Sequence, residues 1–275
     1  MSVVGWAVSE QVVVDGEWLN ARLADVNVVP VDVRQPFFYA QGHIPGARSL
    51  PVFNLYSPRG GVPDSDVLAR RMGELGITSR TQVVAYDDGA SPAAARLYWI
   101  LTLLGHERVS VLDGGVTRWG RRGYRVETAA QAVEPVEYSL GAPDESVRAT
   151  MQDVLAAIET GSGAIVDTRS PAEYLGLQQT AAENGHMPGA INVDWAGTLD
   201  QSPDGTVGLL SDRELENLFV PAGASRDGPV IVYCQSGSRS SHAFMTLRKL
   251  GYTRVQNYDA GWQEWGNSPG APVES

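Results

Sequence analysis

The sequence predicts an α/β protein made of two copies of one domain, each a mainly parallel sheet flanked by helices on both faces. Three observations lead there. The chain has 275 residues, more than one average domain. Long segments of its first half return in its second half. Throughout, short β-branched runs alternate with helix-like stretches, which is the pattern of βαβ units.

The repeat is explicit. "VDVRQPFFYAQGHIPGARSL" at 31–50 returns as "VDTRSPAEYLGLQQTAAENGHMPGAINV" at 166–193, with eight extra residues before the histidine. The segment 83–124, beginning "VVAYDD", returns at 230–269, beginning "VIVYCQ". Asp113 and Asp259, Gly115 and Gly261, and Trp119 and Trp265 are each 146 positions apart. The strand runs are VVPVDV, VVAYD and VSVLD in the first copy and AIVDT, VIVYC and RVQNYD in the second. Between the copies, 126–147 carries two prolines, several acids and little helical periodicity. The expected division is a first domain over 1–135, a linker over 136–147 and a second domain over 148–275. Each domain is expected to bury a modest core of its own.

Composition narrows the function. Apolar residues make up 43% and charged residues 19%, ordinary for a folded globular chain. A net charge of -11 and a pI near 4.8 oppose binding to nucleic acid or to anionic membranes. No run of about 18 apolar residues is present, and the start, MSVVGWAVSE, lacks a signal-peptide pattern, so a cytoplasmic protein is expected. One cysteine forms no intrachain disulfide, and no Cys/His cluster exists for structural zinc.

That cysteine ends a strand. In "VIVYCQSGSRSSHA", 230–243, the apolar run stops at Cys234 and passes into small polar residues. A helix is predicted from the spacing of Ala243, Phe244, Leu247 and Leu250, with Gly251 as its stop. In parallel sheets, ligands gather where strands end and helices begin. There the unpaired helix amides and the dipole favour a thiolate, and Arg239 adds a guanidinium. Most lone cysteines are small buried hydrophobes. The strand end, the glycine-rich loop and the arginine instead make this one a nucleophile.

Cys-x-x-Gly-x-Arg-Ser after VIVY, the paired GHxPGA segments, and DGGxxxW with DAGWxxW resemble the rhodanese family of sulfurtransferases over nearly the whole chain. The resemblance is to the tandem type, with an inactive first domain and a catalytic second one. It implies that Cys234 attacks a sulfane sulfur, holds it as a persulfide and releases it to cyanide or a thiol by a ping-pong route. The backbone amides of Gln235, Ser236, Gly237, Ser238, Arg239 and Ser240 would cradle the persulfide. No metal or organic cofactor is implied, and the partners are a small-molecule sulfur donor and its acceptor. In the first copy Asp87 stands where Cys234 stands in the second.

Two rivals share this fold. A Cys-dependent phosphatase resembles Cys, five residues, then Arg, whereas four residues separate Cys234 from Arg239. The shorter ring suits a single sulfur better than a phosphate. A non-catalytic rhodanese-like binding module would lack the cysteine. For the donor, the loop resembles the bacterial thiosulfate-using branch more than mercaptopyruvate enzymes, which resemble Cys-Gly-Ser-Gly-Val-Thr. Glu173 stands where both groups resemble one another in having arginine before Tyr-x-Gly. Unless it pairs with Arg169, it removes an anion-binding charge and leaves anion recognition to Arg239.

Other polar residues read as structural. Asp167 with Arg169, and Asp32 with Arg34, are expected to be ion pairs. His43 and His186, in their Pro-Gly turns, are expected to bond local backbone. His242 is assigned to packing or surface. Trp262 and Trp265, spaced i and i+3, are core positions, with Trp262 a candidate to line the cleft. Phe37, Phe38 and Tyr39 either wall that cleft or pack in the first domain. The two domains are expected to face one another, with Cys234 in the cleft between them.

Overall fold

The computed structural model describes residues 11–58, 61–139 and 141–275; the first ten residues, on which the reading of the N-terminus rests, lie outside them. The first half holds strands β1 (Val13–Val14), β2 (Val28–Asp32), β3 (Arg48–Ser49), β4 (Gln82–Tyr86) and β5 (Val109–Leu112), in the order β1-β5-β4-β2-β3 with every pair parallel. Its helices are α1 (Gly16–Asn20), α2 (Pro36–Gln41), α3 (Ser65–Glu74), α4 (Ala93–Leu103) and α5 (Gly115–Arg121).

The second half holds β6 (Ala164–Asp167), β7 (Ile191–Asn192), β8 (Leu199–Gln201), β9 (Val207–Leu209), β10 (Val230–Tyr233) and β11 (Val255–Tyr258). Its sheet runs β11-β10-β6-β7, all parallel, and β8 and β9 form a separate antiparallel hairpin. Its helices are α6 (Met151–Thr160), α7 (Pro171–Tyr174), α8 (Asp212–Phe219), α9 (Ser238–Lys249) and α10 (Gly261–Trp265). Capping boxes at Thr150, Ser170 and Ser211 start α6, α7 and α8 by satisfying amides that no helix bond reaches.

The central strands are buried at nearly every position because both faces are covered. Along β10, Val230 and Val232 join one apolar cluster while Ile231 and Tyr233 join another on the opposite face. Along β4, Val83 and Ala85 face one cluster, and Val84 and Tyr86 the other. The repeat is therefore a repeat in space.

The expectation of two separate cores is corrected. The largest cluster is continuous across both halves, joining Leu97, Ile100 and Leu101 of α4 to Ala243, Phe244 and Leu247 of α9. The rings of Tyr98 and Phe244 lie 6.3 Å apart across that seam. The reason is legible in α4, "AAARLYWILTL", which is apolar nearly all round and therefore has to be buried on every side.

The segment after α5 is strapped to the first half. Val136 donates its amide to the Gly73 carbonyl, the Asp144 amide bonds Leu103, and Trp99 Nε1 donates to the Val147 carbonyl at 3.1 Å. Among the described residues no helix is long and apolar enough to cross a membrane.

Candidate active site

β10 lies between β11 and β6, so its carboxyl end opens at the middle of the sheet, and Cys234 is the next residue. Three neighbours hold the loop that follows. Trp262 and Gln263 donate backbone amides to the carbonyls of Cys234 and Gln235, at 2.8 and 3.0 Å. The Asn257 amide Nδ2 lies 3.4 Å from the Gly237 carbonyl. With its carbonyls held outward, the loop can turn its amides inward.

Two glycines make this possible. Gly261 has φ +57, and a methyl there would overlap the Cys234 carbonyl. Gly237 has φ +86, where a Cβ would lie 2.6 Å from Arg96 Nη1 and 2.8 Å from the Asp259 carbonyl. Both positions demand the left-handed backbone and an absent side chain together.

Two donors aim at the sulfur. The Gly237 amide donates to Cys234 Sγ at 3.1 Å and the Ser240 hydroxyl at 3.5 Å. Cys234 is a free thiol, 1% exposed, four residues before α9 and reached by Ser240 of that helix's first turn. It sits beneath the interface between the halves, covered rather than open to a cleft. Ser240 is buried, while Gln235, Ser236, Ser238 and Arg239 are half-buried around the loop.

The cations near the thiol are arranged differently from the expectation. Arg239 donates Nη1 and Nη2 to the two oxygens of Glu173, at 2.6 and 2.9 Å. The pairing considered from the sequence, Glu173 with Arg169, is absent. Arg169 instead donates to Asp167 and to the Gly185 carbonyl, and its guanidinium carbon stacks 4.4 Å from the Trp262 ring centre. The physical reason is placement: the Asp167 carboxylate two residues before Arg169 captures it at the strand end, while the first turn of α9 brings Arg239 onto α7. Although burial of Glu173 acts the other way, the bonds from Arg239, with help from Ser170, hold its carboxyl down at about 2.

A second guanidinium arrives from the other domain, and the sequence reading missed it. Arg96 of α4 is 0% exposed and reaches the Cys234 loop at Gly237. Its carbon stacks 4.1 Å from the Tyr56 ring centre. Among the described residues its Nη2 donates to the Leu55 carbonyl at 3.4 Å, and Nε and Nη1 are buried without a hydrogen-bond partner. Burial lowers its affinity for its proton, opposed by Tyr56, Asp259 and Cys234. The signal available in the sequence was a lone arginine in an otherwise apolar helix. Arg148 meanwhile neutralises Asp259 at 2.8 Å.

The chain is similar to known proteins along nearly its whole length. The family described as the rhodanese-like domain matches it twice, at residues 15–122 and 150–268. The chain belongs to the rhodanese-like family. "Sulfur carrier protein TtuD" of Thermus thermophilus is 37% identical over 279 residues, covering 96% of each chain. "Thiosulfate sulfurtransferase" of Azotobacter vinelandii is 35% identical, covering 93% of this chain and 94% of that one. Among solved structures, the 3-mercaptopyruvate sulfotransferase SseA of Escherichia coli superposes with a TM-score of 0.81 at 29% identity, covering 92% of this chain and all of that one.

The first rhodanese-like domain shows what the loop does without sulfur. Asp87 follows β4 as Cys234 follows β10, and its carboxylate accepts the Gly89 amide at 2.7 Å and the Ala94 amide at 2.9 Å. An internal carboxyl group thus fills the amide cradle. The neighbouring cavity, of about 30 Å³ and lined also by Ser91 and His242, has room for water but not for a donor. His242 stands 146 positions after Arg96, so each domain sends the same helical position toward the other's loop. Its Nε2 bonds the Thr198 hydroxyl at 2.8 Å, and burial pushes its pKa down to about 4, which assigns it to packing.

Burial also raises the Asp87 carboxyl from 3.8 to about 7. A group whose folded pKa is raised contributes stability below its unfolded pKa, lost as pH rises through the folded value. The Tm of Asp87→Asn relative to wild type is therefore expected to climb between pH 5 and pH 8.5, by calorimetry. A pH-independent difference contradicts a protonated Asp87.

The structural assignments hold. Asp167–Arg169 and Asp32–Arg34 are ion pairs. His43 and His186 hold the Tyr39 and Tyr174 carbonyls through Nδ1, both at 2.9 Å. Trp262 and Trp265 are core. Phe37 and Phe38 are corrected: they lie on the surface, Phe37 at 65% exposure, because the short α2 turns only Tyr39 inward.

Proposed function

We propose that this protein is a sulfurtransferase that carries sulfane sulfur as a persulfide on Cys234, with thiosulfate as donor. The observation that carries the reading is a lone thiol at a strand end, met by an amide and a hydroxyl and faced by a buried guanidinium. In the first half-reaction the Cys234 thiolate attacks the outer sulfur of thiosulfate. The Sγ–S bond forms, the donor's S–S bond breaks, and sulfite leaves with the electron pair. In the second, cyanide or an acceptor thiolate attacks the outer persulfide sulfur. The new bond to sulfur forms as the Sγ–S bond breaks, returning the thiolate. The amides of Gln235 to Ser240 would hold the persulfide anion, and no cofactor takes part.

Arg96 would meet the oxyanion end of the donor and the departing sulfite. Its free Nε and Nη1 are the unpaired cationic donors that such a group needs. The relative named for thiosulfate supports this donor. 3-Mercaptopyruvate, named for SseA, is the alternative. A carrier whose single thiol has to be free between turnovers suits the cytoplasm, where thiols are kept reduced. Catalysis is placed in 148–275, with the first domain contributing Arg96 and cover.

The test is kinetic. Initial rates at varied thiosulfate and cyanide are expected to give parallel double-reciprocal lines; intersecting lines contradict a free persulfide enzyme. Arg96→Gln is expected to raise the thiosulfate KM by about tenfold or more, the value of a charge-assisted contact, with a smaller change in kcat. An unchanged KM removes Arg96 from the donor site.

A further inference from the structure

We propose that Glu173 determines donor selectivity: by engaging both Nη groups of Arg239, it withdraws that guanidinium from the donor and leaves the anion-binding role at the thiol to Arg96, whose Nε and Nη1 have no hydrogen-bond partner among the described residues. The inference rests on the sulfur-transfer reading above and adds to it a residue that does no chemistry itself. Arg239 is five positions after Cys234 in the first turn of α9, where a guanidinium would otherwise be the obvious anchor for an anionic donor. Its fork is occupied instead, at 2.6 and 2.9 Å.

The pair is built to stay closed. The Glu173 side chain is 7% exposed and that of Arg239 23%. The carboxylate is further fixed by the Ser170 hydroxyl at 2.9 Å and the Ser170 amide at 3.1 Å, as the capping box of α7. For Arg239 to turn to a donor, Glu173 would remain buried with its charge unpaired, which costs more than a single new contact returns. The pair thus acts as a neutral strut between α7 and the catalytic loop. Arg96, which comes from the other domain, keeps two nitrogens without a partner among the described residues. A carboxylate donor, which gains most from a planar bidentate fork, is denied one here.

Glu173→Gln preserves the size of the side chain and an oxygen for Ser170, but frees Arg239. The KM for 3-mercaptopyruvate is expected to fall about tenfold, the scale of one charge-assisted carboxylate contact, with kcat changed less. In Glu173→Gln/Arg239→Gln the KM should return to the wild-type value. A KM that does not fall in the single variant, or a fall that persists in the double variant, overturns the proposal. A folding defect of the single variant would show as a lowered Tm, and the double variant, with a neutral amide pair, then supplies the reading: a KM well above wild type there means that Arg239 itself binds the donor. Wild type that loads sulfur from neither donor overturns the sulfur-transfer reading, a result separable from any shift between variants.

Discussion

Cys234→Ser is expected to form no thiocyanate from thiosulfate and cyanide above the uncatalysed rate. The hydroxyl fits the same loop and can accept the Gly237 amide, so the fold should persist. What is lost is the atom proposed to carry the transferred sulfur. Because the chain has one cysteine, no second thiol can substitute. Asp87, at the equivalent place in the first domain, carries oxygen and already occupies its own cradle. Residual transfer at a substantial fraction of the wild-type rate would mean that the sulfur travels by another path.

The second large effect is at Arg239. Arg239→Ala should lower kcat/KM for thiosulfate by about a hundredfold and destabilise the protein by about 3 kcal/mol, the low end for breaking a buried pair, since Arg239 is partly exposed. The damage comes from Glu173: its carboxylate, otherwise held at about 2, is left buried and unpaired beside the thiol loop. Adding Glu173→Gln in that background should therefore recover much of both losses, as a double-mutant cycle would show. If the double variant is as impaired as the single one, Arg239 acts on the donor directly.

The folded carboxyl of Glu173 lies below its ordinary 4.5, so its pairing contributes stability above that pH, lost as pH falls toward 2. Arg239→Ala should accordingly show its largest Tm deficit near neutrality and a shrinking one in acid.

Much of the architecture was legible because the repeat records it twice. A strand ending in Asp87 and another ending in Cys234, each with its DxG motif 25 or 26 residues on, place two equivalent loops on two equivalent sheets. The candidate cysteine stood out for the same reason, since the repeat sets one strand end with sulfur beside its equivalent with aspartate. What the sequence did not disclose is tertiary. α4 and the apolar face of α9 pack against each other, so the cores merge across the seam, and no local pattern says which helix another helix will meet. Arg96 was hidden by the same circumstance: it belongs to one domain's helix and to the other domain's loop. The partner of Glu173 depended on a choice between two nearby arginines. Asp167 settled it by capturing Arg169 at the strand end.

The most direct measurement is mass analysis of the wild-type protein after incubation with thiosulfate, followed by peptide mapping under non-reducing conditions. The expected result is one added sulfur atom, located on the peptide containing Cys234 and removed by cyanide with release of thiocyanate. No mass gain, or a gain that maps elsewhere or survives cyanide, would contradict the persulfide.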